Sequence, residues 1–461
     1  MIGTRRLLVL AFFVLLTLRI SSATTTYFAQ SAAGSGNGSS CANAEAVSSV
    51  SISGAGNTFY ICGTITTNLS IGSGASGSPV VLDGGQSGAL MNAYINVNGS
   101  YFTIQNITWV TGYATNSSTQ AVIQMNGGWS NGLIQNNYLN VQNSAQVIFM
   151  YTGNTMKIQN NYILMTVPSP GDNFDTDDVD WPSASNVTLQ GNYLGMNVTE
   201  SDGCGQASGG CHDDIIQVWQ YGSNPNPSDG VIANNYFAQL SPEDANLSFC
   251  MMESAAGTWQ VYGNVFYTTG SGSSDSNGCG WGGSGTFDVY NNTFVEHDTA
   301  SGPGLLTLLN GGSGTMYVTN NIFYRDTPGN TPGALLNENG ATITYNYNIF
   351  YDPSSGDFPS GCSSQTGNTC TTDSTTAAGL FAGFPTNFGL PSGSIAIGAG
   401  TNLGSPYNQA IASTATSTSS WPNPPLVTQA ASGAWGIGAY EAGTGTGPAP
   451  APPTALKATV N

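Results

Sequence analysis

Apolar and polar positions alternate in short runs that recur along most of the chain. L-I-Q-N-N-Y-L at 133 returns as K-I-Q-N-N-Y-I at 157, T-L-Q-G-N-Y-L at 188 and V-I-A-N-N-Y-F at 231. It continues as Q-V-Y-G-N-V-F at 260, D-V-Y-N-N-T-F at 288, Y-V-T-N-N-I-F at 317 and T-Y-N-Y-N-I-F at 344, with an earlier copy, T-I-Q-N-I-T-W, at Thr103. Each run alternates with period two, turns at Asn or Gly, and resumes with an aromatic or aliphatic pair, which predicts short β-strands. Helices are excluded because the apolar runs are short and Asn and Gly interrupt each one.

The recurring Asn falls at Asn137, Asn161, Asn192, Asn235, Asn264, Asn292, Asn321 and Asn348. Most intervals lie between 24 and 31 residues, and one is 43. A unit of that length, repeated at least nine times, predicts an all-β right-handed parallel β-helix, with coils stacked about 4.8 Å apart. A propeller is excluded, since its blades need about 40 residues each. Asn suits the turn because its side chain bonds local backbone and tolerates left-handed conformations. Stacked on successive coils, the amides would form a ladder.

Arg5 and Arg6 precede an apolar run from Leu7 to Leu18, followed by Ser21-Ser22-Ala23. That pattern predicts a signal peptide over 1–23, too short to span a membrane, and hence a secreted, extracellular protein. The β-helix domain is expected over 24–442, with 24–63 as an N-terminal cap, and 443–461 as a Gly/Pro/Ala-rich tail. Eight cysteines in an oxidising compartment predict disulfides between neighbours: Cys204–Cys211, Cys362–Cys370, and Cys250–Cys279, the last 29 residues apart and therefore about one coil.

Removing 1–23 leaves 3 basic against 25 acidic residues, a net charge of −22 with His neutral. Nucleic acid is a poor partner for such a chain. A polyanionic glycan is awkward too unless a divalent cation bridges the two negative surfaces.

The acids concentrate in D-N-F-D-T-D-D-V-D-W, Asp172 to Trp181, and in H-D-D-I-I-Q-V-W, His212 to Trp219. The two longest coil intervals hold them, and extra loop on a rigid scaffold is where function is placed. Alternation puts Val179, Ile216 and Val218 in the bore, which points Asp178 and Asp180 outward on one coil, and Gln217 and Trp219 outward on the next. Stacking would gather Asp177, Asp178, Asp180, Asp213, Asp214 and Glu253 on one face. Crowded carboxylates either share a proton, which makes an acid–base pair, or bind a cation. Asp177, Asp178, Asp213, Asp214, Glu253 and His212 are the candidate catalytic residues. Trp181, Gln217, Trp219 and Tyr221 are the candidate sugar contacts. Asp175, Asp178 and Asp180 are the candidate ligands should calcium be the cation.

Both ends of the domain resemble secreted, pectin-lyase-like β-helix proteins. The opening stretch Y-F-A-Q-S-A-A-G-S-G-N-G-S-S-C resembles their capping segment. L-P-S-G-S-I-A-I-G-A-G-T from Leu390 and W-G-I-G-A-Y-E from Trp435 resemble their closing motifs. Thr176-Asp177-Asp178-Val179-Asp180, followed one coil later by Asp213-Asp214, is similar to the polygalacturonase family, which carries T-D-G-I-D and then D-D. That resemblance implies an acid–base hydrolysis in which Asp177 and one of Asp213 or Asp214 work. The family's G-H-G and R-I-K motifs have no counterpart; His297 stands in E-H-D. The expected function is polysaccharide cleavage of glycoside hydrolase type. The alternatives are a calcium-dependent polysaccharide lyase and a non-catalytic glycan-binding or adhesion β-helix.

Overall fold

The structure is a computed structural model. It describes residues 23–117, 119–167, 176–198, 213–240, 247–269, 279–297, 306–308, 312–326, 335–336, 342–353, 358–415 and 418–441. The expected signal peptide up to residue 22 and the tail fall outside them, as do Cys204 and Cys211.

The chain winds into a parallel β-helix. A long sheet holds 13 strands, a second and a third sheet hold nine each, and every pairing within these three is parallel. One coil shows the path. Thr258–Tyr262 lies in the long sheet, Gly263-Asn264 turns the corner, Val265–Thr269 joins the third sheet, Cys279–Trp281 joins the second, and Thr286–Tyr290 re-enters the long sheet.

The recurring Asn is the corner on which coils register. Asn161 Oδ1 accepts from the Asn137 backbone N–H at 3.0 Å and from Asn137 Nδ2 at 2.9 Å, while Asn137 Nδ2 also donates to the Ile104 carbonyl. The same exchange runs through Asn192, Asn235, Asn264, Asn292, Asn321 and Asn348, and ends on Asn368. The ladder Asn is not itself the left-handed residue. That conformation falls on the residue before it, with φ of 56° at Asn136 and Asn160, 67° at Gly191 and 54° at Asn234. The Asn-Asn or Gly-Asn pair therefore divides two tasks, one residue bending the backbone and the next bonding across coils.

Inside the bore, Phe237, Phe266, Phe294, Phe323 and Phe350 stack at 4.5–4.9 Å with nearly parallel rings. The segment from 374 to 441 packs Leu380, Phe388, Ile411, Trp421 and Ile437 onto the outside of the third sheet, against Tyr193, Tyr236 and Ile322. The closing motifs expected near 390 and 435 belong to this cover, with Ala439 N donating to Thr293 Oγ1 at 3.0 Å.

Disulfides close Cys41 to Cys62 and Cys362 to Cys370. Cys250 and Cys279 are register partners on adjacent rungs, as the coil length predicts, yet they are free thiols rather than a bridge. Their sulfurs lie 2.6 Å apart, and burial, then the partner thiol, pushes Cys279 well above its ordinary range. A protonated, solvent-excluded thiol is a poor nucleophile for disulfide exchange.

Truncating a ladder rung tests the role of the corner. Asn192→Ala strips the acceptor from Asn161 N–H and Nδ2, both buried, and should lower unfolding free energy by about 1–3 kcal/mol or more. Exposed Asn92→Ala should stay within about 0.5 kcal/mol in the same denaturant titration. Equal losses in the two variants would contradict a structural ladder.

Candidate functional site

The second sheet carries the site on its outer surface. Its strands Ile123–Met125, Gln146–Met150, Thr176–Pro182, Asp213–Trp219 and Leu247–Met252 stack in register, so equivalent positions form columns along the helix axis. One column reads Gln124, Phe149, Asp180, Gln217, Met251. The next outward column reads Tyr151, Pro182 and Trp219.

These two columns form the floor of a groove of about 410 Å³. Phe149, Tyr151, Trp219 and Tyr221 give it aromatic walls, and Gln124, Asn126, Gln146, Gln217 and Thr119 give it polar ones. Among the described residues Asp180 is its single carboxylate. Trp219 Nε1 donates to Asp180 Oδ1 at 2.8 Å, which fixes both the indole and the carboxylate. Tyr221 meets Tyr151 edge-on at 4.8 Å and Trp219 at 5.3 Å. The Ser183 hydroxyl accepts from Tyr221 N–H at 2.9 Å and holds that lip in place. On the other side a chain of amides orients the polar wall. Gln120 donates to Gln124, Gln124 to Asn126, Asn126 to Asn98, and Asn98 to Ser70.

The remaining acids of the two Asp-rich strands sit behind this floor. Asp177 and Asp214 are register partners, as are Thr176 and Asp213, and all three aspartates are fully buried. Asp177 and Asp214 continue the column of Gln146, a groove residue. The ladder then skips a position. Pairing runs from Asp177–Asp214 to Val179–Ile216, and on the flanking rungs from Gln146–Asp177 to Ile148–Val179 and from Asp214–Ser248 to Ile216–Cys250. The skipped positions are Val147, Asp178, Ile215 and Phe249, each of them fully buried.

This corrects the sequence expectation for Asp178. Strict alternation would turn it outward with Asp180, but the irregularity shared by four rungs puts Asp177 and Asp180 on the outer columns and leaves Asp178 among apolar side chains. Burial raises its carboxyl well above the ordinary range, opposed by the Gly195 backbone N–H. Burial, then Tyr138 and Asp178, push the phenol of Tyr162 up to about 12.

Two further expectations change. Trp181 faces the bore, not the groove: it is fully buried, its Nε1 donates to the Ala184 carbonyl, and it packs 5.0 Å from Trp259. Its strand neighbours Asp180 and Pro182 point outward, so alternation sends Trp181 in. Glu253 is exposed and lies one rung beyond Trp219, five residues downstream of Ser248, the partner of Asp214. That separation is about 16 Å along a strand, so Glu253 does not join the other acids. Among the described residues no three His, Cys, Asp or Glu side chains are arranged to hold a metal ion, and Asp175, one of the three candidate calcium ligands, lies outside them. His212 lies outside the described residues as well. Gln217, Trp219, Tyr221 and Asp180 stand where the groove needs them. Sequence reasoning missed Phe149, Tyr151, Gln124, Asn126, Gln146 and Thr119. The signal for the first two was present, since Q-V-I-F-M-Y at 146 aligns with D-D-V-D-W-P one coil later.

No protein-family model matches the chain, and no curated protein does. Solved structures do. The pectate lyase Pel9A aligns with a TM-score of 0.50 at 13% identity, covering 92% of this chain and 97% of its own. A rhamnogalacturonan lyase aligns with a TM-score of 0.41 at 14% identity, over 71% and 87% of the two chains. An alginate lyase from Paenibacillus sp. str. FPU-7 gives 0.38 at 12% identity, over 69% and 99%. The likeness to Pel9A shows the fold, a pectin-lyase-like parallel β-helix.

The buried Asp178 predicts a pH signature. Its folded pKa lies above the ordinary 3.8, so the native state holds the proton longer than the unfolded chain does. Its neutral form is harmless below pH 4; as pH rises from there through the folded pKa, stability is lost. Asp178→Asn, which cannot ionise, should match the wild type in melting temperature near pH 3.5 and exceed it increasingly toward neutrality. A difference between the two that does not change with pH would contradict a buried, proton-holding carboxyl.

Proposed function

We propose that this chain is a secreted polysaccharide-cleaving β-helix protein of glycoside hydrolase type, working on the outer face of the second sheet. The observation that carries the proposal is Asp180, held by the Trp219 indole on the floor of a groove walled by aromatic rings and amides. Flat rings suit the faces of sugars, and amides suit their hydroxyls. A solved protein of the same fold is named a pectate lyase, which supports a polysaccharide as occupant. Two disulfides suit an oxidising, extracellular setting.

In this reading Asp180 meets the scissile bond, and Asp177 or Asp214 is the second carboxylate of the acid–base pair. Asp177 and Asp180 lie three residues apart on one strand, about 10 Å between Cα atoms. One carboxyl would protonate the leaving oxygen while the other takes a proton from the attacking water.

The test is to incubate the purified chain with neutral and acidic polysaccharides, with and without a chelator, and to follow new reducing ends and the ultraviolet absorbance of unsaturated uronates. Hydrolysis predicts reducing ends without that absorbance, and a loss of at least about 100-fold in rate for folded Asp180→Asn. Both signals together, abolished by chelator, would make the protein a calcium-dependent lyase. Binding without either signal would make it a glycan-binding or adhesion protein.

A further inference from the structure

We infer that the groove is built for an uncharged glycan rather than a polyuronate. The inference rests on the groove being a glycan site and goes beyond it to the class of sugar.

The groove offers a bound chain the amides of Gln124, Asn126 and Gln217, the rings of Tyr151 and Trp219, and the carboxylate of Asp180. Among the described residues none that lines it is basic. The deficit extends to the whole chain. Beyond residue 23 the basic side chains are Lys157, Arg325 and Lys457, with His212 and His297. Arg325 is buried between Glu296, at 2.9 Å, and Asp352, at 3.3 Å, so its charge is committed there. Lys157 stands on the long sheet, beside Leu133 and Thr188 in register, not on the second sheet that floors the groove. His297 pairs with Asp326 beside the third sheet. Lys457 and His212 lie outside the described residues, and His212 adjoins Asp213 and Asp214 in sequence.

A uronate in this groove would set a carboxylate against Asp180, with Asp177 and Asp214 one column behind. Like charges a few ångströms apart in a partly enclosed site are screened weakly, and no lining cation offsets them. A chain of neutral sugars meets no such term. Its hydroxyls find amide donors and acceptors, and its C–H faces find rings. From the rung of Gln124 to that of Gln217 the groove crosses three rung spacings, about 14 Å along the helix axis, which accommodates a short oligosaccharide lying parallel to the axis.

The test compares two polymers that differ in charge alone: polygalacturonate, and the same polymer with its carboxyl groups reduced to primary alcohols. A panel of neutral glucans, mannans and xylans runs alongside. Binding is measured by affinity electrophoresis at pH 7.5, where an ordinary histidine is neutral, with added calcium and with chelator. The inference predicts that the reduced polymer, or a neutral member of the panel, binds at least tenfold more tightly than polygalacturonate, about 1.4 kcal/mol. Asp180→Asn should narrow that ratio, and Trp219→Ala should abolish retention. Polygalacturonate bound as tightly as the neutral polymers, in calcium or without it, would overturn the inference while leaving the groove a glycan site. No retention by any polymer would overturn the glycan site, and the inference with it.

Discussion

The stacking of one coil on the next depends on a row of buried amides. From Asn161 on, each ladder Asn accepts two hydrogen bonds from the preceding rung's Asn and donates to the following rung's Asn and to a backbone carbonyl of the preceding coil. Slipping a coil by one residue would strand all of these partners together, and it would also turn every side chain of that coil to the opposite face. The ladder therefore sets the register of the second sheet as well as its own corner. Groove columns built from residues far apart in sequence, such as Phe149, Asp180 and Gln217, exist because that register is held rung after rung.

On this rigid scaffold the site combines one groove-lining and several concealed carboxylates. Asp180 lines the groove though only 3% exposed, with its orientation fixed by an indole N–H. Asp177, Asp213 and Asp214 are wholly withdrawn from solvent, and Asp178 occupies a position that the neighbouring rungs fill with Val147, Ile215 and Phe249. Burying acids is costly in stability, and a β-helix with long cross-rung hydrogen-bonded sheets can sustain that cost locally. The apolar environment disfavours charge on Asp178 and raises its carboxyl well above the ordinary range.

The sequence made the architecture legible because a parallel solenoid repeats its information. Eight copies of one short run announce the coil, the corner residue and the inward aromatic, and the Phe stack from Phe237 to Phe350 is already visible in them. The site was legible in part, since Asp180, Gln217, Trp219 and Tyr221 stand where the longest intervals pointed. What failed was strict alternation within a strand. One skipped ladder position reverses the face of Asp178 relative to Asp180, and no local residue type announces it. Trp181 was misplaced because an aromatic beside acids looks like a sugar platform, whereas parity along the strand sends it to the bore. Phe149 and Tyr151 lie in a coil with few acids, so attention to charge passed over them. Cys250 and Cys279 show the limit from the other side: periodicity predicts their contact, but the chemistry of the contact depends on burial.

In the proposed reading glycan occupies the aromatic groove of the second sheet, and not an aromatic groove near the strap at 418–422, lined by Tyr138, Tyr162 and Trp421. Hydroxyl-radical footprinting, with and without a saturating oligosaccharide, measures that choice directly. Protection of Tyr151, Trp219 and Tyr221, with Tyr138 and Tyr162 unchanged, is the predicted result. Protection of Tyr138 and Tyr162, with Tyr221 still fully reactive, would contradict the account.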